Sequence, residues 1–131
     1  MILFRATPPP THIVVFFERL FPGFWSRWLG AADSALREIA SDAGGDTIIT
    51  SWYRSPSQNR DVGGQADSQH LVGLALDVVP GKGNFKLAIS EASSRFMEAG
   101  FVTVPAERHL HIQTFPAGIL RRVGVLDALS V

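Results

Sequence analysis

The sequence predicts an α+β domain in which a small, mostly antiparallel sheet carries helices packed on one side. Two observations lead there. The chain has 131 residues, 46% of them hydrophobic and 18% charged, which suits one packed core, so residues 1–131 are read as a single domain. Its segments run helix, strand, loop, strand, helix, strand, strand, helix, an order that groups the strands.

Each element has its own signal. Pro8, Pro9 and Pro10 force an extended start, and His12 to Leu20 then fits either a strand or a helical turn. Between Pro22 and Asp42, Phe24, Trp25, Trp28, Leu29, Ala32, Leu36 and Ile39 recur at helical spacing, with Gly44 and Gly45 as the stop. The tryptophans read as core anchors. Asp46 to Tyr53 (DTIITSWY) is β-branched and aromatic, hence a strand, with Arg54 at its end. Ser55 to Gln69 is dense in turn formers and reads as a long loop with room for one helical turn, of a length that is usually functional or mobile. Leu74 to Val79 is a second strand, halted by Pro80, Gly81 and Gly83. Asn84 caps a helix to about Ala99, with Leu87, Ala88, Ala92 and Phe96 on one face and Gly100 as its stop. Phe101 to Val104 and Arg108 to Thr114 are short strands with Pro105 as the turn between them. The tail from Pro116 to Val131 is helical and weakened at Gly124.

Composition excludes several classes of function. Twelve Lys and Arg balance twelve Asp and Glu without a run of like charge, so there is no electrostatic footprint for nucleic acid or an anionic membrane. Arg5 and the prolines interrupt the first apolar cluster, and Glu18 with Arg19 closes the second. Neither is a membrane span or a secretory signal, so the chain is expected to be made in the cytoplasm and exported, if at all, by another route. With no cysteine, any metal must be held by His, Asp or Glu.

Within HLVGLALDVVP, His70 and Asp77 interrupt an apolar run, and a buried charge needs a partner or a metal. In ERHLHIQ, His109 and His111 are two apart, which on a strand turns both to one face. Taken singly, an HxH or a His-Asp pair is more often ordinary polar patterning. Together they favour metal, since two imidazoles and one carboxylate are a common open zinc set.

The stretch SQHLVGLALD, Ser68 to Asp77, fits S-x-H-x-x-G-x-A-x-D. With SWYRS and NRDVGG before it and HLH after it, the segment from Ser51 to His111 resembles the D-alanyl-D-alanine carboxypeptidase type of zinc peptidases, a group with phage endolysins that shares its metal-site architecture with the hedgehog signalling domain. The resemblance implies a fold of that type, with His70, Asp77 and His111 as zinc ligands. It implies Arg54 as the group that holds a substrate carboxylate or the developing oxyanion, and His109 as a transition-state group beside the ligands. Ser68 is at most an orienting or substrate-contacting residue. Glu107 is the candidate general base, but here the sequence departs from the pattern. Many relatives place the acid three residues before the last histidine ligand, where this chain has Arg108.

The resulting expectation is a Zn2+-dependent metallopeptidase acting on peptidoglycan stem or cross-bridge peptides, as a D,D-carboxypeptidase or an endopeptidase, in the manner of a phage lytic enzyme released to the cell wall. The alternative is a zinc-stabilised structural or binding domain without hydrolytic activity.

Overall fold

The computed structural model describes residues 2–43, 47–80 and 85–130. Its strands are β1 (Ile2–Phe4), β2 (Thr47–Ser51), β3 (Ala75–Pro80), β4 (Val102–Pro105) and β5 (Leu110–Gln113), joined in one sheet of order β1-β2-β3-β5-β4. β1 runs parallel to β2, and the other pairings are antiparallel. The helices are α1 (Thr11–Leu20), α2 (Phe24–Ala43), α3 (Pro56–Asp61), α4 (Phe85–Glu98), α5 (Ile119–Arg122) and α6 (Val125–Ala128), with a 3-10 turn at Gln69–Val72. This is the α+β class that the sequence predicts.

The segment that periodicity left open, His12 to Leu20, is helical. Ile13 and Phe17, four apart, are its buried residues. The Glu18 carboxylate accepts hydrogen bonds from the backbone N–H of Gly23 (3.0 Å) and Trp25 (3.1 Å), which caps the start of α2 and sets the corner between the two helices. The expected glycine stop of α2, the glycines after β3 and the Asn84 cap lie outside the described residues. Two details differ from expectation. β1 was read only as an apolar cluster, because three residues are too few for alternation to register. Pro105 belongs to β4, paired with Leu110, and the turn is made by residues 106–109, closed by Ala106 N–H donating to the His109 carbonyl at 2.9 Å. In the tail Gly124, at φ +76°, divides the helical stretch into α5 and α6.

Alternation along the strands sorts the two faces of the sheet. Ile49, Leu76, Val78, Leu110 and Ile112 are at most 3% exposed and share one core with Trp25, Trp28, Ala32 and Leu36 of α2 and Ile89, Ala92 and Phe96 of α4. Each such large side chain contributes about 1.5–3 kcal/mol on burial. A run of rings extends the core: Phe17 stacks on Phe24 at 5.3 Å, and Trp25 meets Trp28 edge-on at 6.1 Å. Ser93 Oγ and Thr103 Oγ1, 2.8 Å apart, tie α4 to β4. Residues between the core positions, Asp77 and His111 among them, therefore face the other way.

Candidate metal centre

A single row crosses the sheet on this second face. Ser51 of β2 lies opposite Asp77 of β3, Asp77 opposite His111 of β5, and His111 opposite Val104 of β4. Over this row opens a groove of about 500 Å³, lined by Arg54, Ser68, Asp77, His109, His111 and Gln113 together with the loop from Gly63 to Gln65.

His70 reaches the row from the 3-10 turn, and the residues after β2 hold it there. Its Nδ1 lies 2.6 Å from the Trp52 carbonyl, its own carbonyl accepts from Arg54 N–H at 2.9 Å, and the Trp52 indole donates to the Gly73 carbonyl at 2.7 Å. Ser68 caps the turn by accepting from His70 N–H at 3.2 Å. A carbonyl only accepts, so His70 carries its proton on Nδ1, and Nε2 points its lone pair at Asp77 Oδ1, 3.2 Å away. His70 is 1% exposed.

The same logic fixes His111. Gln113 donates its amide to the Phe115 carbonyl at 2.8 Å, which turns its Oε1 toward His111 Nε2 at 2.8 Å. His111 therefore donates from Nε2 and presents Nδ1 to Asp77 Oδ1 at 3.1 Å. Gln69, next to His70, completes the chain: its amide donates to the Phe115 carbonyl at 2.6 Å and accepts from Phe115 N–H at 3.1 Å. The two histidine segments are thus laced to one another through Phe115.

Three lone-pair atoms, His70 Nε2, Asp77 Oδ1 and His111 Nδ1, converge within 4.8 Å of one another. Such an arrangement demands positive charge at its centre, supplied either by a second proton on each ring or by one divalent cation shared among them. The electrostatics show the demand. Burial on its own would raise the Asp77 pKa, but with the second proton in place the hydrogen bonds from His111 and His70, together with the charge of His70 and His109, hold it well below the usual carboxylate range. Burial would lower that of His111, yet its hydrogen bonds to Asp77 and Gln113 carry it above the ordinary imidazole value. Two nitrogens and one oxygen fit a zinc-type ion, and both imidazoles have their other nitrogen engaged, as metal-bound histidines do.

Arg54 donates from its guanidinium to Asp77 Oδ2 at 2.9 Å and from Nε to Ser51 Oγ at 3.1 Å, and it lines the groove with donors to spare. His109 also lines the groove, its Nε2 3.8 Å from Asp77 Oδ1. Glu107 is placed elsewhere: exposed in the turn before β5, it lines a separate hollow with Ser90, Ser93 and Ser94 of α4. The structure thus brings together His70, Asp77, His111, His109, Arg54 and Ser68, but not Glu107. Sequence reasoning missed Gln69, Gln113 and the Trp52 carbonyl. Gln113 carried a usable signal, since it is two residues beyond His111 and so on its face of the strand.

Fold and site define an α+β domain with a His-Asp-His group, able to hold a metal, whose Asp77 and His111 line an open groove. The profile of the peptidase M15 family matches residues 29–113, which include all three of these residues, and the chain belongs to that family, the D-alanyl-D-alanine carboxypeptidase type of zinc peptidases. No curated protein and no solved structure matches the chain. No helix among the described residues is long and apolar enough to cross a membrane.

Proposed function

We propose that the chain is a zinc-dependent peptidase that hydrolyses peptide bonds of bacterial cell-wall peptidoglycan, as a D,D-carboxypeptidase or an endopeptidase acting at the wall. The observation that carries this reading is the convergence of three lone-pair atoms in an open groove, where a structural metal site would be closed by a fourth protein ligand.

His70, Asp77 and His111 would hold the cation, which when bound supplies Lewis-acid activation of the attacked carbonyl and of the attacking water. The chain's own residues do the rest. Trp52 and Gln113 fix the tautomers of the two rings, so that their lone pairs need no rearrangement. Arg54, whose planar fork is held at one edge by Asp77 and Ser51, offers its remaining N–H groups to a substrate carboxylate or to the oxygen that gains charge as the amide is attacked. His109, on the groove wall, is the imidazole placed to receive a proton from the water and hand it to the leaving amine. Ser68 orients the His70 turn.

A second reading, a zinc-stabilised binding or structural domain, is favoured by the position of Glu107 away from the groove. Metal analysis of the purified chain, followed by incubation with peptidoglycan, separates the two. The peptidase reading expects about one zinc per chain and release of new amino or carboxyl termini from the wall. Zinc without release supports the domain reading, and no zinc even after it is offered removes both.

A further inference from the structure

Arg54 lines two hollows. Besides the groove at the metal centre it lines a second depression of about 280 Å³, together with Arg5, Thr7, Ser51, Tyr53 and Gln58 among others. Two of its lining residues are arginines and none is Asp or Glu. Arg54 shares its charge with Asp77, 2.9 Å away, whereas Arg5 is exposed and its guanidinium has no hydrogen-bond or ion-pair partner among the described residues. The backbone of Arg5 is fixed, because its N–H donates to the Ile49 carbonyl at 2.9 Å and continues the pairing of β1 with β2. In a chain whose formal charges cancel, this hollow therefore holds a local cation that no group among the described residues pairs with.

We propose that the hollow is a subsite for a carboxylate of the peptide that lies across the metal centre, with Arg5 as the group that binds it. A guanidinium matches a carboxylate with two parallel N–H donors, and the Arg54 side chain forms the common wall over which the peptide passes. The inference rests on the peptidase reading and deepens it. A terminal carboxylate in the hollow puts the C-terminus of the peptide next to the metal centre, as a carboxypeptidase requires, whereas a carboxylate from within the peptide is compatible with either activity.

The test uses the full chain and the pentapeptide L-Ala-γ-D-Glu-L-Lys-D-Ala-D-Ala, together with two versions amidated either at the D-Glu α-carboxyl or at the C-terminus. Binding is read from tryptophan fluorescence, since Trp52 lines the hollow, on both zinc-loaded and chelator-treated protein. Arg5→Gln is expected to weaken binding of the unmodified pentapeptide about fivefold to tenfold, with Arg5→Lys recovering part of the loss. Amidation of the carboxylate that occupies the hollow should weaken wild-type binding equally and cost Arg5→Gln nothing further, which identifies its source. The proposal is overturned if Arg5→Gln binds the pentapeptide as wild type does, or if neither amidation weakens wild-type binding. Because no turnover is required, a chain that binds through Arg5 but cleaves nothing overturns the peptidase reading and leaves the subsite standing. On a chain that does cleave, Arg5→Gln raises KM and leaves kcat unchanged.

Discussion

Replacing Gln113 with methionine is expected to weaken zinc binding by about tenfold to a hundredfold while leaving the fold of the metal-stripped chain nearly intact. Methionine keeps the length and apolar bulk of this buried side chain and removes the Oε1 that lies 2.8 Å from His111 Nε2. Without that acceptor, nothing forces the His111 proton onto Nε2, and the tautomer with Nδ1 protonated turns an N–H, not a lone pair, toward the ligand position. The loss corresponds to about 1.4–2.7 kcal/mol of binding free energy. The cost to the stripped chain is smaller, about one net hydrogen bond or 0.5–1.5 kcal/mol, because the Phe115 carbonyl keeps its bond from Gln69 at 2.6 Å. Competition with a chelator of known affinity gives the zinc dissociation constant, and chemical denaturation of stripped protein gives the stability. A variant that binds zinc within twofold of wild type would refute the tautomer argument. So would a loss of affinity no larger than the loss of folding stability.

Four further outcomes follow from the same geometry. Zinc affinity should rise with pH through the range above 6.5, by about tenfold per unit for each proton displaced, because the raised His111 pKa makes its proton the competitor of the metal. For the stripped chain the signs are opposite at the two ends. The His111 contribution to stability is full below 6.5 and lost as pH rises through its higher folded value, while the Asp77 contribution is present above 3.8 and lost as pH falls through its lower folded value; denaturation across pH reads both. Gly73→Ala should destabilise the chain by about 1–3 kcal/mol in urea unfolding, since the residue sits at φ +73° and a Cβ there would lie 2.8 Å from Pro9. On peptidoglycan, His109→Gln should lower kcat by about a hundredfold or more and Glu107→Gln by less than twofold, and the reverse order would return the proton-transfer role to Glu107.

How much of this was legible in the sequence depends on how far apart the interacting residues lie. Elements with a full period declared themselves: α2 through its aromatic spacing and β3 through an apolar run. The pairing of His109 with His111 was legible too, although His109 lies in the turn before β5 and reaches the groove from there, not by strand alternation. His70 and Asp77 stood out because polar groups in an apolar run need a reason. What stayed hidden was set by partners distant in the chain. The three residues of β1 gain their strand character from pairing with β2, which follows only after two helices. The Glu107 position turned on where the turn after β4 begins. Alternation from His111 would carry Glu107 onto the groove face, but residues 106–109 are a turn, so the alternation stops at β5 and the side chain is released toward α4. The Gln69 clamp on Phe115 is a long-range hydrogen-bond pair that no local pattern announces.

The strand register accounts for why these residues, and not their neighbours, form the site. From Ile49 opposite Val78 to Ser51 opposite Asp77, β2 advances two residues while β3 advances one, a bulge with Thr50 as the extra residue. A regular ladder would put Thr50 opposite Asp77 and turn Ser51 toward the core with Leu76. The extra residue instead brings Ser51 into the row with Asp77, where its hydroxyl accepts from Arg54 Nε. It also sets the direction of the chain beyond, so that the Trp52 carbonyl meets His70 Nδ1 and the Arg54 guanidinium meets Asp77 Oδ2. One irregularity at the end of β2 thus sets the tautomer of His70, the orientation of Asp77 and the wall shared by the two hollows. The apolar faces of β3 and β5 hold this in place: a one-residue slip of either strand would expose Leu76 or Ile112 and turn Asp77 or His111 into the core, so packing on one side of the sheet enforces the chemistry on the other.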